Sequence, residues 1–411
     1  MANDGSVVAD NYVIPKLDSL LNKKLGKDLE LIEYTATSLL PPGENYGSLI
    51  LKVDAKIRMG EKREEIREVN LIAKIPPLTQ RQRDFFDSPY TFDKERFMYE
   101  EILPTYRKFE EDCGISDLFD IGPDFYGSRL SLVGDVFDDD AVILMENLKT
   151  RGYYTGDRYC GLDIDHARLA VQAMARFHAL GIAIKTKRQA FFEVLKVRSK
   201  CLEMKNPDEW KDGMTEMYKN IKADTVLAEH YDKCMKAFEA GSKNECWFAP
   251  PIEPWSTIIH ADFWVNNIMF HRDEETGKPD DVKFVDFQNY LFLSPTRELA
   301  FFLGSGVKDT VAKREIDLLI DHYHNTLVER LSLMGCDPAP YRRQAFDQQL
   351  SKDAYVEFTH SVFMLKIMTK EVDVDDPNSR NVADAMLDSC SELFYVRLRG
   401  LVNDYIERGW M

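Results

Sequence analysis

Two short runs of the chain carry the residue types that phosphoryl transfer needs. The first is His260-Ala261-Asp262-Phe263-Trp264-Val265-Asn266-Asn267, and the second is Val285-Asp286-Phe287-Gln288. Asp262 and Asn267 have a D-x-x-x-x-N spacing, in which the Asp receives the proton of an attacking hydroxyl and the Asn holds magnesium. Asp286 ends an apolar run 24 residues beyond Asp262, where a second acidic metal ligand is needed. Hard oxygen ligands hold Mg²⁺ against the β- and γ-phosphates while one carboxylate orients the hydroxyl. Any one of these residues alone reads best as a turn-capping Asp or Asn. In this order and on one hairpin, they read together as a catalytic loop with its metal ligands.

Upstream lie the partners such a site requires. Lys74 falls in the strand-like run Asn70-Leu71-Ile72-Ala73-Lys74-Ile75, where a buried ammonium is costly unless a phosphate and a carboxylate meet it. Glu95, in the helix-like run Phe92 to Tyr99, is the natural counter-ion. Taken singly, Lys74 reads as an edge-strand lysine and Glu95 as a solvated helix residue; their order ahead of Asp262 and Asp286 gives them weight. Gly43-Glu44-Asn45-Tyr46-Gly47-Ser48 joins two strand-like runs, and its glycines would let backbone N–H groups approach phosphates. It reads equally as an ordinary hairpin turn. Leu144-Met145-Glu146-Asn147-Leu148 reads either as a hinge whose backbone hydrogen-bonds an adenine or as a plain linker. His260 reads as a scaffold for the backbone near the metal Asp, and His178, on the apolar helix face from Ala173 to Ala183, as a satisfied core histidine. Trp264 either lines an acceptor pocket or packs the loop against the helices.

The elements that must position these residues fall into two regions. Strand signals occupy Leu31 to Leu40, Gly47 to Met59 and Glu65 to Ile75. One helical run, Phe92 to Glu111, stalls at Pro104. A further strand pair, Phe125 to Val133 and Ala141 to Met145, flanks the acidic turn Asp135 to Asp140, which reads as a solvated hairpin tip. Beyond Leu148 the period becomes helical, over Asp163 to Ile184, Asp208 to Ala240, Lys313 to Leu333, Tyr341 to Thr369 and Asn381 to Arg408. A strand-rich island, Ser256 to Phe287, interrupts these helices. The pattern predicts an α+β chain, with a sheet region over residues 1–148 and a larger helical region over 149–411.

Composition excludes several functions. With 411 residues, 44% hydrophobic and 11% aromatic, the chain has the content of a packed protein with a sizeable core. A formal charge of -17 argues against nucleic acid and against an anionic membrane surface. The seven scattered cysteines contain no C-x-x-C pair and read as reduced thiols. His322 and His324 are the closest pair of histidines and would face opposite ways on a helix, so a histidine metal site is not expected. The first residues lack the basic start and apolar run of a signal peptide, and no apolar stretch is long enough to span a bilayer. These features together predict a cytoplasmic location.

Read together, the motifs resemble the ecdysteroid kinase-like family, also called the choline-kinase-like group, within the aminoglycoside phosphotransferase and protein-kinase-like superfamily. The resemblance is carried by Gly43 to Ser48, Lys74 with Pro76-Pro77, Phe92 to Pro104, Met145 to Leu148, Ala175 to Ala179, His260 to Phe270, and Asp286 to Gln288. Asp262, Trp264 and Asn267 together with Asp-Phe-Gln are fairly specific to this group, since most protein kinases have Asp-Phe-Gly. The resemblance implies a bilobed kinase fold, with an antiparallel sheet lobe and a larger helical lobe, and ATP-dependent phosphorylation of a small-molecule hydroxyl. Lys74, held by Glu95, would touch the phosphates, Asn267 and Asp286 would carry Mg²⁺, and Asp262 would orient the hydroxyl. Gly43, Asn45, Gly47, Ser48, Glu146 and Leu148 would line the nucleotide. The family is expanded in insects, where ecdysteroid hormones and ingested toxins are its expected acceptors, the latter in detoxification. A choline, ethanolamine or aminoglycoside kinase would share these motifs; a non-catalytic nucleotide- or lipophile-binding protein is the rival from another class. The chain's acidity leaves the acceptor neutral or cationic. Two positions depart from the family pattern. Ala261 replaces the usual Gly, which is tolerable only if the backbone there does not need positive φ. Glu298, in Ser294-Pro295-Thr296-Arg297-Glu298-Leu299, stands where an Asp is common, a longer carboxylate that can still brace the catalytic loop.

Overall fold

The alternating runs near the start of the chain form strands in the computed structural model, which describes residues 11–39, 47–59, 65–202, 215, 218, 219, 221–243, 245–370 and 390–411. The described chain groups into two units, one from residues 11–100 and 123–151, the other from 101–122, 152–370 and 390–411. Residues 101–122, which precede the Leu148 boundary read from the sequence, belong to the second.

In the first unit, helix α1 (Leu17–Leu25) is followed by β1 (Glu30–Ser38), β2 (Leu49–Met59), β3 (Glu65–Ile75), α2 (Gln80–Phe85), α3 (Ser88–Phe97), β4 (Phe125–Arg129) and β5 (Val142–Glu146). The five strands form one antiparallel sheet in the order β1-β2-β3-β5-β4. Successive side chains on a strand face opposite ways. Leu51, Val53 and Ile57 of β2 and Leu71 and Ala73 of β3 therefore share one face, in a core with Leu17, Leu20 and Leu21 of α1. Lys74, next after Ala73, projects from the other face of a strand bonded on both sides.

The second unit begins with α4 (Leu103–Asp112), and a π-turn over Met98–Ile102 leads into it. The sequence predicts one helix with a stall at Pro104; proline has no N–H to return to the preceding turn, and the turn widens there instead. Then come β6 (Tyr154–Thr155), α5 (Ile164–Lys187), α6 (Gln189–Arg198), α7 (Tyr231–Gly241), α8 (Glu245–Phe248), β7 (Thr257–Ile259), β8 (Ile268–Arg272), β9 (Pro279–Phe284), β10 (Leu291–Leu293), α9 (Pro295–Ser305), α10 (Lys313–Leu333), α11 (Arg343–Met368) and α12 (Glu392–Glu407). Most of α5 is buried, and it packs along α10, as α9 does along α11. The strand-rich island is not one hairpin: β8 pairs with β6 and β9, whereas β7 pairs with β10. Among the described residues no helix is long and apolar enough to cross a membrane.

Candidate active site

Within the sheet unit, Lys74 and Glu95 form a buried ion pair, with exposures of 2% and 1%. Helix α3 makes this possible because Ser88, Thr91, Phe92 and Glu95 recur at helical spacing on its buried side. Each ion costs several kcal/mol, on the order of magnitude found for buried charges, unless its partner is in place. Ile50 of β2 stands opposite Lys74, and the buried Gly47 and Ser48 immediately precede that strand. Gly43 and Asn45 lie outside the described residues. At the end of β5, the Glu146 carboxylate accepts from the Asp124 N–H at 3.3 Å and pairs with Arg151 at 3.2 Å. The Glu146 and Asn147 N–H groups are committed to the carbonyls of Asp124 and Asn70. Leu148 is buried at the start of a short 3-10 turn.

Within the helical unit, the loop between β7 and β8 holds Asp262 and Asn267, and Asp286 follows β9. The Asn267 Nδ2 donates to the Asp262 carbonyl at 2.9 Å and to its carboxylate Oδ2 at 3.0 Å. Its backbone carbonyl accepts from the Val285 N–H at 3.0 Å, which ties the loop to the residue before Asp286. With the amide nitrogen so used, Asn267 is left with Oδ1, a hard oxygen of the kind magnesium takes. Asp286 has a left-handed backbone, φ 63, and immediately precedes the 3-10 turn Phe287–Asn289 without a side-chain cap bond to it. Desolvation, then the like charge of Asp286, pushes the Asp262 carboxyl up to about 6 against the opposing pull of His260, His360 and the Asn267 hydrogen bond. A carboxylate with raised proton affinity suits a group that accepts a hydroxyl proton.

A buried chain of hydrogen bonds sets the loop's backbone. The Glu298 Oε1 accepts the Ala261 N–H at 2.6 Å, and its Oε2 lies 2.8 Å from His178 Nε2. His178 Nδ1 is in turn 2.6 Å from the Tyr323 hydroxyl. Burial, then the Glu298 charge, raises the Tyr323 phenol well above its ordinary value, so it keeps its proton and donates. A neutral His178 that accepts at Nδ1 and donates at Nε2 satisfies the whole chain. His260 is fully buried, and its Nε2 donates to the Val285 carbonyl at 3.0 Å. The expectation for Ala261 is overturned: its φ is 63, so this alanine occupies a conformation that favours glycine.

One group near the loop escapes the sequence reading. Arg297, next to Glu298 on α9, pairs with Glu357 of α11 at 2.6 Å, and Glu357 also holds His360 at 2.6 Å. The only signal was the i, i+3 placement of Glu357 and His360 on a predicted helix, which by itself specifies nothing. Among the described residues no three His, Cys, Asp or Glu side chains converge on a metal position. Magnesium held by substrate phosphates and one or two protein oxygens needs no such cage, and Asn267 with Asp286 fits that requirement.

No curated protein sequence matches the chain significantly. Among solved structures, the chain is similar to Plasmodium vivax ethanolamine kinase, at 12% identity over 96% of this chain and 87% of that one, with a TM-score of 0.41. It is also similar to a microcompartment-associated aminopropanol kinase, at 12% identity over 92% and 94% of the two chains and a TM-score of 0.44. A third likeness is the GDP complex of wild-type aminoglycoside 2'-phosphotransferase-IIIa, at 11% identity over 95% and 97% and a TM-score of 0.39. These are distant likenesses, and the assignment rests on a family model that matches residues 42–336, most of the chain. The chain belongs to the ecdysteroid kinase-like family and is a small-molecule kinase.

Proposed function

We propose that the protein transfers the γ-phosphate of ATP to a hydroxyl of an ecdysteroid-like or other lipophilic or xenobiotic alcohol. The observation that carries this reading is the loop after β7, where Asn267 binds Asp262 through its nitrogen and keeps Oδ1 for a cation. Asp262 accepts the hydrogen bond of the acceptor hydroxyl and orients its oxygen for in-line attack. Lys74, held by Glu95, anchors the nucleotide phosphates, and Asn267 with Asp286 holds Mg²⁺. Mg²⁺, when bound, supplies neutralisation of the phosphate charge. The rest of catalysis is positioning by groups fixed before the substrate arrives. All seven cysteines are free thiols, which suits a reducing compartment such as the cytoplasm.

The test is acceptor-dependent ADP release. Asp262→Asn is expected to lower kcat by about 10²–10⁴-fold, the range of a lost general base, with nucleotide affinity unchanged. Turnover at the wild-type rate in that variant overturns the assignment. Asp286→Ala is expected to weaken magnesium-dependent nucleotide binding, measured by titration calorimetry with and without Mg²⁺; equal affinity to wild type in magnesium removes Asp286 from the metal site.

A further inference from the structure

Helices α9 and α11 bury an ion pair beside the catalytic loop. Arg297 is 5% exposed and Glu357 is 3% exposed, and the Arg297 Nε donates to Glu357 at 2.6 Å. Such a pair seldom stabilises a fold more than apolar packing of the same volume, so its presence asks for a use. Two polar atoms of the group remain open. Arg297 Nη2 is enclosed with no hydrogen-bond partner among the described residues. His360, whose Nδ1 is held by Glu357 at 2.6 Å, makes no hydrogen bond through Nε2 among the described residues.

Arg297 and His360 line one narrow cavity of about 10 Å³, walled also by Trp247, Ala261, Phe301 and the carboxylate-bearing Glu298 and Glu357. That is room for one water-sized group. Ala261 immediately precedes Asp262, so the cavity abuts the loop that bears the catalytic carboxylate. Its aromatic walls are already occupied. The Arg297 guanidinium lies over the Trp247 ring at 4.2 Å, and the Phe301 ring is stacked on His360 at 4.3 Å. One face of each of these rings, the surface a quaternary ammonium would use, is therefore covered, and the nearest donor without a partner belongs to a cation. Glu357 neutralises that cation, and the Glu298 carboxylate is taken up by the Ala261 N–H and His178, so neither an anion nor a cation finds a free counter-charge there.

Resting on the phosphotransfer reading above, we propose that this cavity is an acceptor-recognition subsite that takes one uncharged oxygen function, a ketone or a hydroxyl, of a neutral alcohol. Arg297 Nη2 donates to that oxygen, and His360 Nε2 accepts from it when it is a hydroxyl. The remainder of the acceptor lies outside the cavity, whose wall includes the apolar Ile259 and Leu293. Glu357 and His360 stand beyond residue 336, where the family match ends, so family membership does not assign them.

The experiment measures ADP release by the full chain with MgATP and each of ecdysone, salicin, choline and kanamycin, for wild type, His360→Asn and Arg297→Lys. The expected result is turnover of a neutral alcohol, none of choline or kanamycin, and an acceptor KM raised about tenfold or more in each variant, as for loss of one buried hydrogen bond. The KM for MgATP should not move. Thermal unfolding checks folding, and the partly exposed His360→Asn decides the matter should Arg297→Lys not fold. Turnover of a neutral alcohol with unmoved acceptor KM in the folded variants overturns the subsite and leaves phosphoryl transfer standing. Turnover of choline or kanamycin does the same. No ADP release with any of the four overturns the phosphotransfer reading and the subsite together.

Discussion

Ala261 carries backbone strain beside the proposed catalytic Asp262. A Cβ in the left-handed region costs about 1–2 kcal/mol, and this residue adopts φ 63 one position before Asp262, the proposed catalytic carboxylate. The charge-assisted bond from its N–H to Glu298, at 2.6 Å, is what holds it there, since hydrogen bonds to an ionised acceptor are roughly twice as strong as neutral ones. Ala261→Gly should relieve the strain against an unfolded-state entropy cost of roughly 0.5–1 kcal/mol. The expected outcome is a gain of up to about 1 kcal/mol in unfolding free energy, read from urea midpoints. A clear loss would show that the alanine methyl, which walls the small cavity, contributes more by packing than it costs in strain. The motif around this residue was legible in the sequence because phosphoryl transfer demands Asp, Asn and Asp in a fixed order. The dihedral was not, because a residue's identity biases φ without determining it.

Four separate elements converge on the loop from Ala261 to Asn267: β7 leads into it, and α5, α9 and α10 supply His178, Glu298 and Tyr323. Glu298 receives two N–H donors, from Ala261 and from His178. Glu298→Gln keeps one carbonyl oxygen and turns an amide nitrogen toward the other donor. Leaving one buried donor unsatisfied should cost about 1–3 kcal/mol and lower kcat without changing nucleotide affinity. Thermal unfolding and steady-state turnover check both, and an unchanged unfolding midpoint would mean that His178 rearranges to accept. Helix α9 itself was not visible from periodicity. Pro295, Thr296, Arg297, Glu298, Leu299, Ala300, Phe301 and Phe302 are all buried, and a helix buried all round has no amphipathic stripe to read. Only Pro295 at its first turn marked its start. For the same reason the meeting of Arg297 with Glu357, 60 residues apart, could not be foreseen: it arises from the packing of α9 along α11, which no local signal encodes. The strands of the sheet, by contrast, were legible almost in full because their alternation survives burial on one face.

The chain's charge of -17 belongs to no single site. The nucleotide and metal roles proposed for Lys74, Asn267 and Asp286 call for no basic surface, so the acidity bears instead on solubility and on the response to acid. With a sequence pI of about 5.0, self-repulsion vanishes near that pH, and association should be strongest there. Further acidification attacks carboxylates that the fold holds ionised. Asp224 is one: it accepts from the Val226 and Leu227 N–H groups at 3.0 and 2.9 Å and from Arg399 of α12 at 2.6 Å. The Arg399 hydrogen bond holds its carboxyl below the ordinary range, which is about 3.9. A carboxyl whose folded pKa is lowered contributes stability above its unfolded pKa, and loses that contribution as pH falls through the folded one. Asp224→Asn retains an oxygen for the two N–H groups but gives up the charge. It should therefore destabilise the protein by about 1–2 kcal/mol at pH 7, and the difference from wild type should close only below about pH 4. Urea midpoints of both proteins from pH 7 down to about pH 3 measure it. A gap that persists undiminished at the lowest pH would mean that Asp224 acts through its cap to the turn and not through Arg399.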